Sequence, residues 1–150
     1  MMTPAVAARL ASWQAPCSTH EVAARIANLK AASARRLGHG LAVQDPYGSG
    51  ACGWISAEIP EGERDFAMVT YWIGENFQGY GLMRRAAPEA MSRLFEALQV
   101  PMLRAAVQLD NDRSISLLES LGGYRLGNGQ IWCSARDRYE SCFFYGLPRQ

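Results

Sequence analysis

Between Gly40 and Gly74 three apolar runs, GLAVQ, ACGWISAEI and DFAMVTYWIG, are separated by DPYGSG and PEGER. The separators carry glycine, proline and charge in the way hairpin loops do, so the runs predict three antiparallel strands. After the turn ENFQGYG the period changes. Met83, Ala86, Ala87, Ala90, Met91, Leu94, Phe95 and Leu98 recur every three or four residues and predict an amphipathic helix of about four turns. Pro88 lies inside that helix and is expected to bend it. MLRAAVQL then predicts a strand, a helix starts near Asn111 or Asp112 and ends at Gly122 and Gly123, and QIWCSA and YESCFFYG predict a terminal strand pair. Ahead of the strands, Thr3 and Pro4 read as an N-cap and first-turn proline, with Val6, Leu10 and Trp13 as one apolar edge. Ser18 and Glu21 read as a capping box for a second helix, along which Val22, Ile26 and Leu29 recur toward Leu37. The order α-α-β-β-β-α-β-α-β-β defines an α+β chain.

Length and composition narrow the functional classes. At 150 residues and 49% hydrophobic content, the chain predicts one domain over 1–150. Fifteen basic against fourteen acidic residues give a net charge of +1, which argues against a nucleic-acid or membrane-surface partner. The longest charge-free run, 46–57, is broken by glycine and falls short of the roughly 20 apolar residues a bilayer span requires. The amino end has no continuous apolar core of a signal peptide, and the expected location is the cytoplasm. Cys17, Cys52, Cys133 and Cys142 form no C-x-x-C pair, and with His20 and His39 they give no zinc-ligand spacing, so four buried thiols and no metal are expected.

QGYG, at Gln78 to Gly81, sits where a strand hands over to the long helix. A helix amino terminus exposes unpaired N–H groups and the positive end of the macrodipole, and glycines there let main chain approach a phosphate. A second cluster, DNDRSISLLESLGGY, opens the next helix. In this order of elements the two clusters resemble the GCN5-related N-acetyltransferase (GNAT) superfamily, and within it the RimJ/RimL-type branch that acetylates ribosomal-protein amino termini. The resemblance runs from about Ser18 to Pro148. Tyr71, Trp72, Ile73, Gly74, Gln78, Gly79 and Gly81 stand in the places of that branch's Y-W-I-G strand and Q-G-x-G turn. Met83, Arg84 and Pro88 also match, and Asn111, Ser114, Leu121 and Gly122 match its N-x-x-S helix start and L-G step.

The resemblance implies a mixed, mostly antiparallel sheet with a splayed central strand pair, flanked by helices, and acetyl-CoA as cosubstrate in the V-shaped opening. Its pyrophosphate would lie on backbone N–H groups of Gln78, Gly79, Tyr80, Gly81, Leu82, Met83 and Arg84, with Arg84 and Arg85 adding charge. Trp72, Ile73, Asn111 and Ser114 complete the implied cofactor-binding set, and Tyr71, Trp72 and Trp54 are expected around the acyl group. The resemblance makes Ser114 the catalytic residue beside the coenzyme sulfur, where it can donate a proton. It also implies an amine acceptor, either a peptide amino terminus or a small molecule.

Three places where family members often keep acid-base groups are apolar: Met68, Ala106 and Leu118. Glu58, Glu75, Glu140 and His39 remain as candidate bases. A peptide α-amine of pKa near 7.7 is roughly 15 to 20% neutral at pH 7, whereas a lysine amine near 10.4 is neutral in about one molecule in 2,500. A site without a strong base is therefore expected to favour an amino terminus or a weakly basic small amine. A catalytically weak acetyl-CoA-binding module, and an unrelated α+β interaction domain, are the competing readings. The family's first strand reads as missing, with 1–17 an atypical segment in its place. The uncovered sheet edge implies a homodimer, or an amino end that covers the edge differently.

Overall fold

The computed structural model describes residues 2–48 and 50–150. Its elements follow the expected order. Short α1 (Pro4–Ala7) and α2 (Thr19–Ala34) precede β1 (Gly38–Gln44), β2 (Ala51–Glu58) and β3 (Phe66–Ile73). A 3-10 turn (Glu75–Phe77), α3 (Leu82–Leu98), β4 (Met102–Gln108), α4 (Asp112–Ser120), β5 (Tyr124–Cys133) and β6 (Arg138–Pro148) complete the chain. The Thr3 hydroxyl caps α1, and Ser18 and Glu21 make the reciprocal capping box of α2. The first helix is shorter than its apolar edge suggested: Leu10 and Trp13 lie beyond it, yet both are buried. α3 runs unbroken through Pro88. β5 starts six residues earlier than the apolar run did, at Tyr124, because pairing with β6 holds its polar first half in the sheet.

The six strands form one sheet in the order β1-β2-β3-β4-β6-β5. Every pairing is antiparallel except β3 with β4, which are joined through α3 and therefore run parallel. That parallel pair is three residues long, Phe66↔Met102, Ala67↔Leu103 and Met68↔Arg104. Beyond it β3 stays with β2 as far as Ile73, and β4 stays with β6 as far as Gln108. Each strand follows its antiparallel neighbour, so the centre of the sheet opens.

Alternation sorts the two faces. Val69, Leu103, Ala105 and Val107 join Leu94, Leu117 and Leu118 of the helices in the main core, with Tyr71 and Ile73 packed against it. Met2, Val6, Ala7, Leu10 and Trp13 form a second core against Trp54 and Trp72 on the other face. Trp13 meets both of those rings edge-on, with centroids 5.5 and 5.3 Å away.

Among the described residues no strand precedes β1, which pairs with β2 alone. The amino-terminal segment does not cover that edge; it spans the ends of β3 and β4. Thr3 Oγ1 donates to Glu75 Oε2 at 2.7 Å, Arg9 Nη1 reaches Asp110 Oδ1 at 2.7 Å, and Gln108 Nε2 donates to the Ala8 carbonyl at 2.7 Å. Arg136 Nη1 donates to the Ala7 carbonyl at 3.1 Å, and the Ala135 N–H donates to Ala11.

Arg136 is itself held by Glu140, whose side chain is only 16% exposed. Hydrogen bonds from Arg136 and then Arg138 pull the Glu140 carboxyl down to about 2. The folded value lies below the roughly 4.3 of an unfolded glutamate, so the stabilisation is present above that pH and fades as pH falls toward 2. Thermal melts should therefore show a larger loss of melting temperature between pH 5 and pH 2 for the wild type than for Glu140→Gln.

Candidate active site

The parting of β3 and β4 leaves a cleft of about 810 Å³. Val69, Tyr71 and Ile73 line one wall and Ala105, Ala106 and Val107 the other, with Ser114 and Leu117 of α4 beside them. Ala5, Val6, Arg9 and Leu10 of the amino-terminal segment border it from the second face. The upper lengths of β3 and β4 have no ladder partner toward each other, so main-chain groups along the cleft remain available to a guest.

At one end stands the amino terminus of α3. Gly81 is its N-cap, with φ of 72° and no side-chain cap, and Gly79 has φ of 85°. Both angles fall in the left-handed region that favours glycine. A Cβ on Gly79 would meet nothing within 4 Å, so this backbone is bare. Uncapped N–H groups of a seventeen-residue helix, open space and the adjoining cleft together match what an anionic pyrophosphate needs. Gln78 ties the turn to its strand, its Nε2 donating to the Ile73 carbonyl at 3.2 Å. Arg84 donates to Ser116 Oγ at 3.0 Å and Arg113 to Gln78 Oε1 at 3.4 Å, which places two guanidinium groups on the cleft wall.

Of the residues expected to bind coenzyme, Trp72, Ile73, Gln78, Gly79, Gly81, Leu82, Met83, Arg84, Asn111 and Ser114 all line this cleft. Tyr80 does not: it is 71% exposed, and its carbonyl accepts from Arg85 Nη1 at 3.1 Å. Arg85 lines a separate depression with Leu41, Val43 and Glu89. Trp54 is also outside the cleft, since its place on β2 turns it toward Trp13, and its Nε1 donates to Ser56 Oγ at 2.9 Å. Trp72 borders the cleft with its ring against Trp13, and its buried Nε1 has no hydrogen-bond partner among the described residues.

Ser114 lies in the first turn of α4, its N–H donating to Asn111 Oδ1 of the N-cap at 3.4 Å. Its hydroxyl is hydrogen-bonded to the hydroxyl of Tyr71 from the facing strand. Burial pushes the Tyr71 phenol up to about 12, with the bond to Ser114 acting in the opposite direction. The phenol is therefore protonated at any physiological pH. The resemblance put Tyr71 near the acyl group and Ser114 near the sulfur, but the direct bond between their hydroxyls comes from the fold alone. Arg9 and Arg113 carry no sequence signal for a place in the cleft.

Met68 and Ala106 line the cleft as apolar wall, and Leu118 is fully buried in the core. The four candidate bases separate clearly. Glu58 borders a depression with Ser12 and Trp13, His39 Nδ1 bonds Ser33 Oγ at 3.2 Å, and Glu140 is committed to Arg136 and Arg138. Glu75 alone lines the cleft, at the end where Thr3 holds it. Cys52, Cys133 and Cys142 are buried and free, but Cys17 is only partly buried. Among the described residues no cluster could hold a metal ion.

A six-stranded sheet opened at a parallel central pair, with an uncapped helix start at the opening, is the architecture of an acyl-coenzyme-A-dependent acetyltransferase. Residues 1–123 match the family model of the acetyltransferase (GNAT) domain, and the chain belongs to that family. It is 23% identical over 104 residues to YdaF of Bacillus subtilis (strain 168), a proposed ribosomal N-acetyltransferase; the match covers 69% of this chain and 57% of YdaF. The chain thus spans little more than half the length of that relative. Its fold is similar to ribosomal-protein-S5-alanine acetyltransferase from Vibrio fischeri, with a TM-score of 0.75 at 22% identity over 92% of this chain and 79% of that one. It is also similar to Mycobacterium smegmatis RimJ in complex with CoA-disulfide, with a TM-score of 0.73 at 15% identity over 86% of this chain and 61% of that one.

Gly81→Val places a branched side chain at a left-handed position on the bare helix start. Calorimetric titration with acetyl-CoA should show binding weakened by about tenfold or more.

Proposed function

We propose that this protein transfers an acetyl group from acetyl-CoA to a primary amine, and that the amine is the amino terminus of a peptide or protein. The observation that carries the reading is one continuous cleft with a bare helix amino terminus at one end and an open way out at the other. Past Arg9 and Asp110 the cleft shares its lining with a shallow groove of about 930 Å³ that reaches Arg138 and Tyr139. A peptide whose terminal amine entered the cleft could lay its following residues there. The similarity to ribosomal-protein acetyltransferases supports the same acceptor class.

Acetyl-CoA supplies a thioester carbon open to attack by nitrogen. Backbone N–H groups at the bare start of α3, from Gly81 to Arg84, hold its pyrophosphate, with the side chains of Arg84 and Arg113 beside them. Main-chain N–H groups at the end of β3, left without ladder partners by the splay, stabilise the oxyanion. Ser114 faces the departing sulfur. Glu75 sits at the acceptor side and draws a cationic amine into the cleft.

Because Met68, Ala106 and Leu118 supply no acid-base group, the acceptor must present much of its amine already neutral. The neutral fractions of an α-amine and a lysine amine differ about four-hundredfold at pH 7. Purified protein should acetylate peptide amino termini faster than internal lysines of the same peptides by around two orders of magnitude at pH 7. Equal rates overturn the amino-terminal reading. The same three apolar side chains favour a second reading, a coenzyme-binding module with little turnover; amine-dependent release of free thiol distinguishes the two.

Free thiols at three buried cysteines and the absence, among the described residues, of a helix long and apolar enough to cross a membrane support work in the cytoplasm. The unpaired edge of β1 supports a homodimer through edge pairing. Light scattering at micromolar concentration should report a dimer mass, and a monomer mass refutes it.

A further inference from the structure

Two hydroxyl groups from opposite walls of the cleft meet, and their proton arrangement has only two forms. Tyr71 stands on β3 beyond the last pair with β4, and Ser114 stands in the first turn of α4, where the Asn111 cap holds its backbone. If Ser114 donated to Tyr71, the phenol O–H would need another acceptor. Among the described residues Ser114 Oγ is the one hydrogen-bond partner of that hydroxyl, and the ring is partly buried. A donor left unpaired away from water is costly, and a phenol is a stronger donor than an alkanol. The favoured form has Tyr71 donating and Ser114 accepting, with the serine proton left free for the cleft that Ser114 lines.

We propose that Tyr71 is a positioning residue: by donating to Ser114 Oγ it aims the serine O–H at the coenzyme sulfur, so that the departing thiolate leaves against a preformed hydrogen bond. This rests on the acetyl-transfer reading and adds to it the residue that orients Ser114. The acceptor nitrogen forms a bond to the thioester carbon, and when the C–S bond breaks its electron pair stays on sulfur. The proton lost by the acceptor nitrogen passes to water, and sulfur takes one from water. Both hydroxyls keep their own protons, since an alkanol is far less acidic than a thiol of pKa about 8.5. Burial keeps the phenol protonated up to about pH 12, so the donor is present across the working range.

Tyr71→Phe keeps the ring and removes only the hydroxyl. Three proteins, Tyr71→Phe, Ser114→Ala and the double variant, would be compared with wild type in two assays. In the first, free CoA is bound and its thiol titrated by ultraviolet thiolate absorbance. A serine hydrogen bond favours the thiolate, so the bound thiol of the wild type should titrate below free CoA, and each variant should move it back up by roughly half a unit. The double variant should match Ser114→Ala. In the second assay, turnover of acetyl-CoA with an alanine-initiated peptide should fall about three- to tenfold for Tyr71→Phe, with the KM for acetyl-CoA unchanged.

A Tyr71→Phe protein that leaves the bound thiol and kcat as in wild type overturns the proposal. So does one that, in the Ser114→Ala background, raises the thiol titration further and lowers kcat further, because the phenol would then act independently of the serine. Failure of wild-type protein to bind CoA at all overturns the acetyl-transfer reading, and this proposal with it. Normal coenzyme binding without a displaced thiol titration overturns this proposal alone.

Discussion

The parting of β3 from β4 after three backbone pairs is the constraint on which the rest of the molecule depends. It arises from a competition between neighbours. Each of the two strands has a long antiparallel partner on its outer side and a parallel partner on its inner side for only part of its length. Sheet twist and the longer ladders carry the two strands away from each other. The cost is a set of central main-chain groups with no partner in the sheet. Such groups are retained where something else is to be bonded, and here they border a cleft reached by the start of α3.

A split sheet needs a brace. Among the described residues that brace is the amino-terminal segment, whose Trp13 packs on rings of β2 and β3 while Arg9 holds Asp110 just past β4. The bonds of Thr3 to Glu75 and of Arg136 to Ala7 extend the clasp to both flanks. In solvent-exposed form the Arg9 pair would be worth little, so the apolar contact of Trp13, which is 2% exposed, carries most of the attachment. The same segment lines the cleft through Ala5, Val6, Arg9 and Leu10. Bracing of the sheet and lining of the cleft therefore fall on one stretch of chain.

The lining of the cleft combines charge with apolar wall. Guanidinium groups of Arg84 and Arg113 stand beside the helix start, and Glu75 of the 3-10 turn is held by Thr3 of the amino-terminal segment. Met68 and Ala106 keep the strand walls apolar, and the hydroxyl pair of Tyr71 and Ser114 lies on the α4 side. Low polarity along these walls strengthens each hydrogen bond made to a guest.

Local sequence determined the elements and their order, because hydrophobic period, the Ser18–Glu21 box, the Thr3–Pro4 start and the glycine turn at Gln78 to Gly81 each act within a few residues. The same local character made most of the cleft-lining positions legible, since many are contiguous along one strand end and one helix start. Where contacts cross the chain, sequence ran out: Trp54 and Arg85 sit near the site in order but outside its lining, and Tyr80 turns to solvent. Tertiary structure alone decided that Glu75, rather than Glu58, Glu140 or His39, reaches the cleft. It alone joined the hydroxyls of Tyr71 and Ser114, and it laid the amino-terminal segment over the split instead of along the β1 edge. The physical reason is that backbone periodicity is written in neighbouring side chains, whereas a meeting of groups 43 or 72 residues apart depends on which strands stay paired and where the sheet comes open.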